Sequence, residues 1–309
     1  MKSLRRILLI ALLALAAGVA SLIRFDIPPE RLRAQYATPP SQFMDVDGLA
    51  VHYRDEGQGF PVVLLHGAAS SLFTWDAWAA QLSKHYRVIR YDLPGFGLTG
   101  PNATKDYSMA WHVRFLSEFL DKLNVPACAL AGNSFGGRIA LSFALAHPER
   151  VKKLILVDSS GYPMPERKVL VMQLAKMPLI GRMLSHVTPR FFIAMTIRQM
   201  YGDPRRLSEA TIDRYYDMIL REGNRDTFVT VARTEIEDAT ASIRALEVPI
   251  LILWGAEDQA VPLAYAERFH RDLRHSQLIV YPGVGHVPME EIPDVSVRDA
   301  EAFLSAPIS

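Results

Sequence analysis

A single cysteine, Cys128, among 309 residues excludes an intrachain disulfide and any metal site built on clustered thiolates. It sits in the apolar run from Ala127 to Ala131, where a small core residue is expected. The chain also lacks an excess of either charge. Thirty-four Lys and Arg face 33 Asp and Glu, for a net charge of +1. No basic face is available for phosphates, so a nucleic-acid partner is excluded. Internal repeats and low-complexity tracts are missing. No Gly-x-Gly-x-x-Gly follows the first strands and no His, Asp or Glu cluster has ligand spacing, so neither an organic cofactor nor a metal is implied.

Half of the residues are apolar, enough for one large domain with a smaller insertion. Lys2, Arg5 and Arg6 precede an uncharged run, Ile7 to Ile23, which Arg24 ends. A basic start followed by an apolar segment reads as an export signal. The run approaches the length needed to span a bilayer. Residues 1–24 are therefore expected to form an uncleaved signal-anchor, with a signal peptide cut after Ala20 as the alternative. Basic residues before the run would keep that end in the cytoplasm and place the remaining chain on the periplasmic, extracytoplasmic side. Membrane contact is expected through this segment alone. Residues 25–41, with Pro28, Pro29, Pro39 and Pro40, read as a linker.

From Gln42 onward the pattern is globular. Asp47-Gly48 between two short strands signals a hairpin. Apolar strands at 61–65, 87–91, 127–131, 154–158, 250–254 and 277–281 alternate with helical stretches near 74–84, 108–123, 134–146, 262–273 and 295–304. Near-continuous apolar strands separated by amphipathic helices imply a mostly parallel sheet covered on both faces. The alternation stops between Tyr162 and Val248, where seven of the 11 methionines lie. The expected division is a core of residues 42–162 and 249–309 with a helical cap of residues 163–248. An insertion at the carboxyl ends of such strands overhangs the usual ligand site. Methionines there suit a pocket for flexible acyl chains, although most of them are expected to fill the cap's own core.

Gly132-Asn133-Ser134-Phe135-Gly136 is a G-x-S-x-G motif that follows a strand and opens a helix, the context in which its serine becomes an exposed nucleophile. A serine hydroxyl needs a base, and His286 follows the last strand. Asp258 follows the preceding strand and is placed to fix the tautomer of that base. The backbone N–H groups of Phe135 and Ala68 are the expected oxyanion donors, Ala68 lying in the loop Leu65-His66-Gly67-Ala68. His66 is expected to fix this loop, with Gly67 and Asn133 as supporting residues.

These segments, with Tyr91-Asp-Leu-Pro-Gly-Phe-Gly97, Trp254-Gly-Ala-Glu-Asp258 and Gly285-His-Val-Pro288, resemble the α/β-hydrolase superfamily from about Gln42 to Leu304. The resemblance implies an α/β-hydrolase fold with eight strands, helices on both faces and a helical cap. It gives Asp92 a bracing role beneath the nucleophile turn. It also makes Asp158, after the strand that follows the motif, a rival to Asp258 as the acid. Relatives that hydrolyse haloalkanes or epoxides carry aspartate where Ser134 stands, so both activities are excluded despite the Tyr215-Tyr216 pair. The expected activity is hydrolysis of carboxylic esters, with an apolar small-molecule substrate, in the manner of monoacylglycerol lipases and anchored esterases. Hydrolysis of a carbon–carbon bond in ring-cleavage products of aromatics is the alternative. Those relatives typically carry tryptophan after the catalytic histidine, where this chain has Val287. A ligand-binding protein that lost turnover is the alternative of another class.

Overall fold

The computed structural model describes residues 23–163, 170–234 and 240–307. Its centre is an eight-stranded sheet formed by β1 (Gln42–Val46), β2 (Leu49–Glu56), β3 (Pro61–Leu65), β4 (Arg87–Tyr91), β5 (Cys128–Asn133), β6 (Val151–Val157), β7 (Ile250–Gly255) and β8 (Ser276–Tyr281). The spatial order is β1-β2-β4-β3-β5-β6-β7-β8. β1 and β2 pair antiparallel, as do β2 and β4, and every other pairing is parallel. The hairpin turns at Asp47 and Gly48, both at positive φ, which sets Val46 opposite Leu49.

The central strands read as unbroken apolar runs because both of their faces are buried. Along β5, Cys128 and Leu130 enter one core cluster while Ala129 and Ala131 enter the other. Along β7, Ile252 and Trp254 face one side, Leu251 and Leu253 the opposite. The first face is covered by α3 (Met109–Lys122), α4 (Phe135–Ala146) and α11 (Ala264–Asp272), with Phe115, Phe143 and Phe269 fully or nearly fully buried. The second is covered by α2 (Asp76–Leu82) and α13 (Pro293–Ser305), which bring Trp78 and Phe303. Ser108 caps α3 by accepting a hydrogen bond from the Trp111 N–H at 3.2 Å, which fixes where that helix begins.

Between β6 and β7 the described residues form six α-helices, a 3-10 turn at Pro204–Arg206 and no strand. The helices are α5 (Leu170–Lys176), α6 (Pro178–Leu184), α7 (Arg190–Arg198), α8 (Glu209–Leu220), α9 (Asn224–Arg233) and α10 (Thr240–Arg244). The short α12 (Pro288–Glu291) precedes α13.

The start of the described chain departs from the expected linker. Residues Pro29–Tyr36 form helix α1, with Pro29 at its first turn, Glu30 beside it and Arg33 in the last turn. Leu32 is buried against Leu72, Phe73, Leu98 and Met218. Upstream, the Arg24 N–H donates to His186 O at 2.9 Å and the Ile27 N–H to Leu220 O at 2.7 Å. The chain from residue 23 is thus stitched to the insertion. That packing corrects the expectation of a linker leading away from a membrane, and the anchored, extracytoplasmic placement expected from the N-terminus finds no support among the described residues. Among the described residues no helix is long and apolar enough to cross a membrane. The apolar run that suggested a crossing lies, except for Ile23, outside the described residues.

Candidate active site

Ser134 stands between β5 and α4 at φ 53° and ψ −114°, a backbone conformation that a non-glycine residue holds only when its surroundings over-determine it. Four hydrogen bonds do so here. The Ser134 N–H donates to Val157 O at 3.1 Å, and Ser134 O accepts from the Arg138 and Ser160 N–H groups at 3.1 Å and from Ser160 Oγ at 3.2 Å. The turn is too tight for side chains on either flank. A Cβ at Gly132 would lie 2.4 Å from Gly136 O, and one at Gly136 would lie 2.4 Å from the carbonyl oxygens of Leu65 and His66.

His286 is buried on the loop after β8, and its N–H donates to Met200 O at 2.6 Å. Its Nδ1 lies 2.7 Å from Asp258 Oδ2. A carboxylate only accepts, so Nδ1 carries the proton and Nε2 keeps a lone pair, the tautomer a general base requires. The other Asp258 oxygen accepts from the Ala260 and Val261 N–H groups at 2.7 and 3.0 Å. The Asn133 amide donates to His286 O at 3.0 Å and to Val157 O at 3.2 Å, tying the nucleophile turn to the base loop.

Ser134, Phe135, Ala68 and His286 line one cavity of about 210 Å³. Phe135 opens α4, so its N–H has no partner within the helix and faces the start of the helix dipole. His66 holds the facing loop: its Nδ1 meets Gly67 O at 2.7 Å while Nε2 accepts from the Leu93 N–H at 2.8 Å. Burial pushes this imidazole below its ordinary value, in keeping with a neutral ring. Gly67 is small because a Cβ there would lie 2.9 Å from Asn133 Oδ1. Asp92 is buried and accepts from the Leu72 and Leu98 N–H groups, both at 2.7 Å, while His52 Nδ1 meets it at 2.7 Å. It braces loops and does not line the cavity. Cys128 is fully buried, and burial raises its thiol to about 12.

Asp158 lies at the end of β6 with no described contact to the His286 ring; that contact belongs to Asp258. The oxygens of both acids and a His286 nitrogen nevertheless fall within 4.8 Å of one another, the one cluster with metal-ligand spacing among the described residues. Its imidazole Nδ1 is already protonated toward Asp258, so that atom offers a cation no lone pair.

Several wall residues went unread in the sequence. Arg138, one helical turn after Ser134, lines the cavity, as does Arg225. Arg225 bonds to Asp26 Oδ1 at 2.5 Å through Nη2 and to Thr188 Oγ1 at 3.2 Å. Tyr215, met in the sequence only as half of the Tyr215-Tyr216 pair, also lines it and donates to Glu290 Oε1 at 2.9 Å. The i, i+4 spacing of Ser134 and Arg138 was a usable signal. Of the insertion's methionines, Met172, Met200 and Met218 reach the cavity, whereas Met177, Met183 and Met195 are exposed.

Comparison with known proteins bears on this site. The alpha/beta hydrolase fold family model matches residues 61–293. A 2-hydroxy-6-oxo-2,4-heptadienoate hydrolase of Pseudomonas putida is 30% identical over 270 residues, covering 84% of this chain and 94% of that protein. The meta-cleavage product hydrolase of Pseudomonas fluorescens IP01 superposes with a TM-score of 0.76 at 26% identity, over 85% of this chain and 97% of its own. A membrane phospholipase A gives a TM-score of 0.74 at 25% identity, over 98% of each chain.

The expected carboxylic-ester activity is corrected by the two Pseudomonas relatives. The sequence match is named for a dienoate, and the P. fluorescens structure for a meta-cleavage product; both agree with the carbon–carbon alternative. The physical reason for the misreading is that the motifs specify a nucleophile, a base and an oxyanion site, all indifferent to whether oxygen or carbon departs. With the fold, the strained serine turn and a family match over most of its length in agreement, the chain belongs to the alpha/beta hydrolase fold family.

Proposed function

We propose that this protein hydrolyses a carbon–carbon bond in 2-hydroxy-6-oxo-dienoates, the products of aromatic ring cleavage, with Ser134 as nucleophile, His286 as base and Asp258 as its orienting acid. The observation that carries the reading is the make-up of the cavity wall. Its described lining holds two arginines, Arg138 and Arg225, and no carboxylate, on an otherwise largely apolar wall. That suits a small apolar molecule with one anionic end, as such a dienoate is at neutral pH.

The chemistry follows from the substrate. In the dienol form C5 is vinylic and cannot leave with an electron pair. Moving the enol proton to C5 gives the 2,6-dioxo form. Ser134 Oγ then adds to C6 as His286 Nε2 takes its proton, and the Phe135 and Ala68 N–H groups hold the oxyanion. Collapse breaks C5–C6, and the electron pair spreads through C4 and C3 onto the C2 oxygen. A proton restores a 2-hydroxydienoate. Water, deprotonated by His286, releases the acyl group from Ser134. Val287 departs from the tryptophan typical of such relatives; it is buried in the core and is not part of the cavity lining.

The test is loss of dienoate absorbance, run beside p-nitrophenyl esters and a phospholipid. Turnover of the dienoate at the highest kcat/KM, lost by at least about 10³-fold in Ser134→Ala, is the expected result. Ester or phospholipid turnover with an inert dienoate would overturn it.

A further inference from the structure

Asp158 is fully buried, and its backbone at φ 45° is held by an N–H bond to Leu253 O at 3.0 Å. Its Oδ1 accepts from the Gly255 N–H at 2.9 Å. Its Oδ2 is buried with no donor within reach among the described residues. An ionised carboxylate so placed would carry an uncompensated charge beside a second carboxylate, at a cost that no cation among the described residues offsets. Asp258 has its Oδ1 occupied by two backbone N–H groups and its Oδ2 by His286. Its Oδ1 is thereby filled, while its Oδ2 can accept once more.

We infer that Asp158 is held as the neutral acid and donates its proton in a hydrogen bond to Asp258, making it a positioning residue for the Asp258–His286 pair. The inference rests on the triad assignment above. The proton spreads part of the Asp258 charge and adds a contact that helps to fix that carboxylate, an oxygen of each acid and a His286 nitrogen lying within 4.8 Å of one another. Burial first, then the charge of Asp258, pushes the Asp158 carboxyl well above the ordinary carboxylate range. Glu291 acts in the same direction, and the Tyr281 hydroxyl is the other titratable group that senses Asp158. The rivalry between the two acids visible in the sequence is thereby resolved into two roles: one carboxyl stays charged because its neighbour keeps a proton.

Two measurements test this. In the full-length protein at neutral pH, the infrared carbonyl stretch of a protonated carboxylic acid should be present, and it should be missing from Asp158→Asn. This reading needs no substrate, so it stands or falls separately from the proposed reaction. In kinetics, Asp158→Asn keeps a donor of the same shape, so kcat should stay within about threefold and the pH profile of kcat/KM should superpose on the parent's. Asp158→Ala removes the donor. Its kcat should fall about tenfold with KM little changed, and the acid limb of its profile should move to higher pH as Asp258 regains full charge. If both variants instead move the acid limb to lower pH, or if Asp158→Asn is as damaging as Asp258→Asn, Asp158 is ionised and the inference fails. Absence of the protonated-acid band from the parent overturns it even if Asp158→Ala does not fold.

Discussion

His112 shows how one residue can be buried at a measurable cost. Its ring is packed edge-on to Phe135 at 5.2 Å between centroids, beside Trp111 and Tyr107, and neither ring nitrogen has a hydrogen-bond partner among the described residues. Burial lowers its pKa from 6.5 to about 3; Asp106 opposes the shift and Arg138 adds to it. Between those values the unfolded chain binds a proton that the folded chain refuses. Stability from this group is therefore complete above pH 6.5 and declines as pH falls toward 3, by about 1.4 kcal/mol for each unit. His112→Phe should remove that contribution. Urea titrations should place the variant at or above the parent at pH 7, with a gap wider by about 2 kcal/mol at pH 5. Equal gaps at the two pH values would show that His112 does not titrate on unfolding. Nothing in the residue pattern signals this, since one histidine in Ala110-Trp-His-Val113 looks no different when solvated.

Secondary elements divide cleanly into those that hydropathy reveals and those it hides. The core strands were legible because parallel strands buried on both faces are uniformly apolar. The helices were legible where caps such as Ser108 or prolines such as Pro293 mark their starts. Helix α1 was not, because Pro-Glu-Arg-Leu-Arg-Ala-Gln-Tyr buries only Leu32, and a single buried residue has no period. What makes the element matter is where Leu32 goes. Leu72 and Phe73 come from the 3-10 turn Leu72–Trp75, Leu98 from the loop after β4 and Met218 from α8, so one side chain joins the N-terminal segment, core and insertion. Tyr36 adds a hydrogen bond to Asp217 at 2.7 Å, also on α8. Leu32→Ala should cost about 2–4 kcal/mol, whereas Arg31→Ala, on the exposed face of the same helix, should cost under about 0.5 kcal/mol. Denaturant midpoints compare the two. A Leu32 variant no worse than the Arg31 variant would mean that α1 contributes nothing to holding the insertion.

Taken whole, the molecule places its chemistry by topology. β5, β6, β7 and β8 lie side by side in chain order, and their carboxyl ends carry Ser134, Asp158, Asp258 and His286 in that order along one edge. Sequence reading reached these residues because each follows an apolar strand. It did not reach the substrate, since the cavity is roofed by an insertion with no strand to set its register. A net charge of +1 likewise gives no hint that Arg138 and Arg225 both line the cavity. The two arginines differ in where they stand. Arg225 is paired with Asp26, so much of its charge is spent across the N-terminal segment. Arg138 lies on α4 one turn from Ser134, its N–H bonded to Ser134 O, at a distance along the helix suited to a substrate whose carboxylate is several carbons from the attacked carbonyl. Arg138→Met keeps the length of the side chain and removes the charge. For the dienoate, KM should rise about 10- to 100-fold with kcat altered much less, the signature of a lost ground-state contact. A neutral substrate analogue, the methyl ester of the dienoate carboxylate, should not distinguish the variant from the parent. An unchanged KM for the free acid would remove Arg138 from recognition, and an equal loss for acid and methyl ester would reassign it to packing.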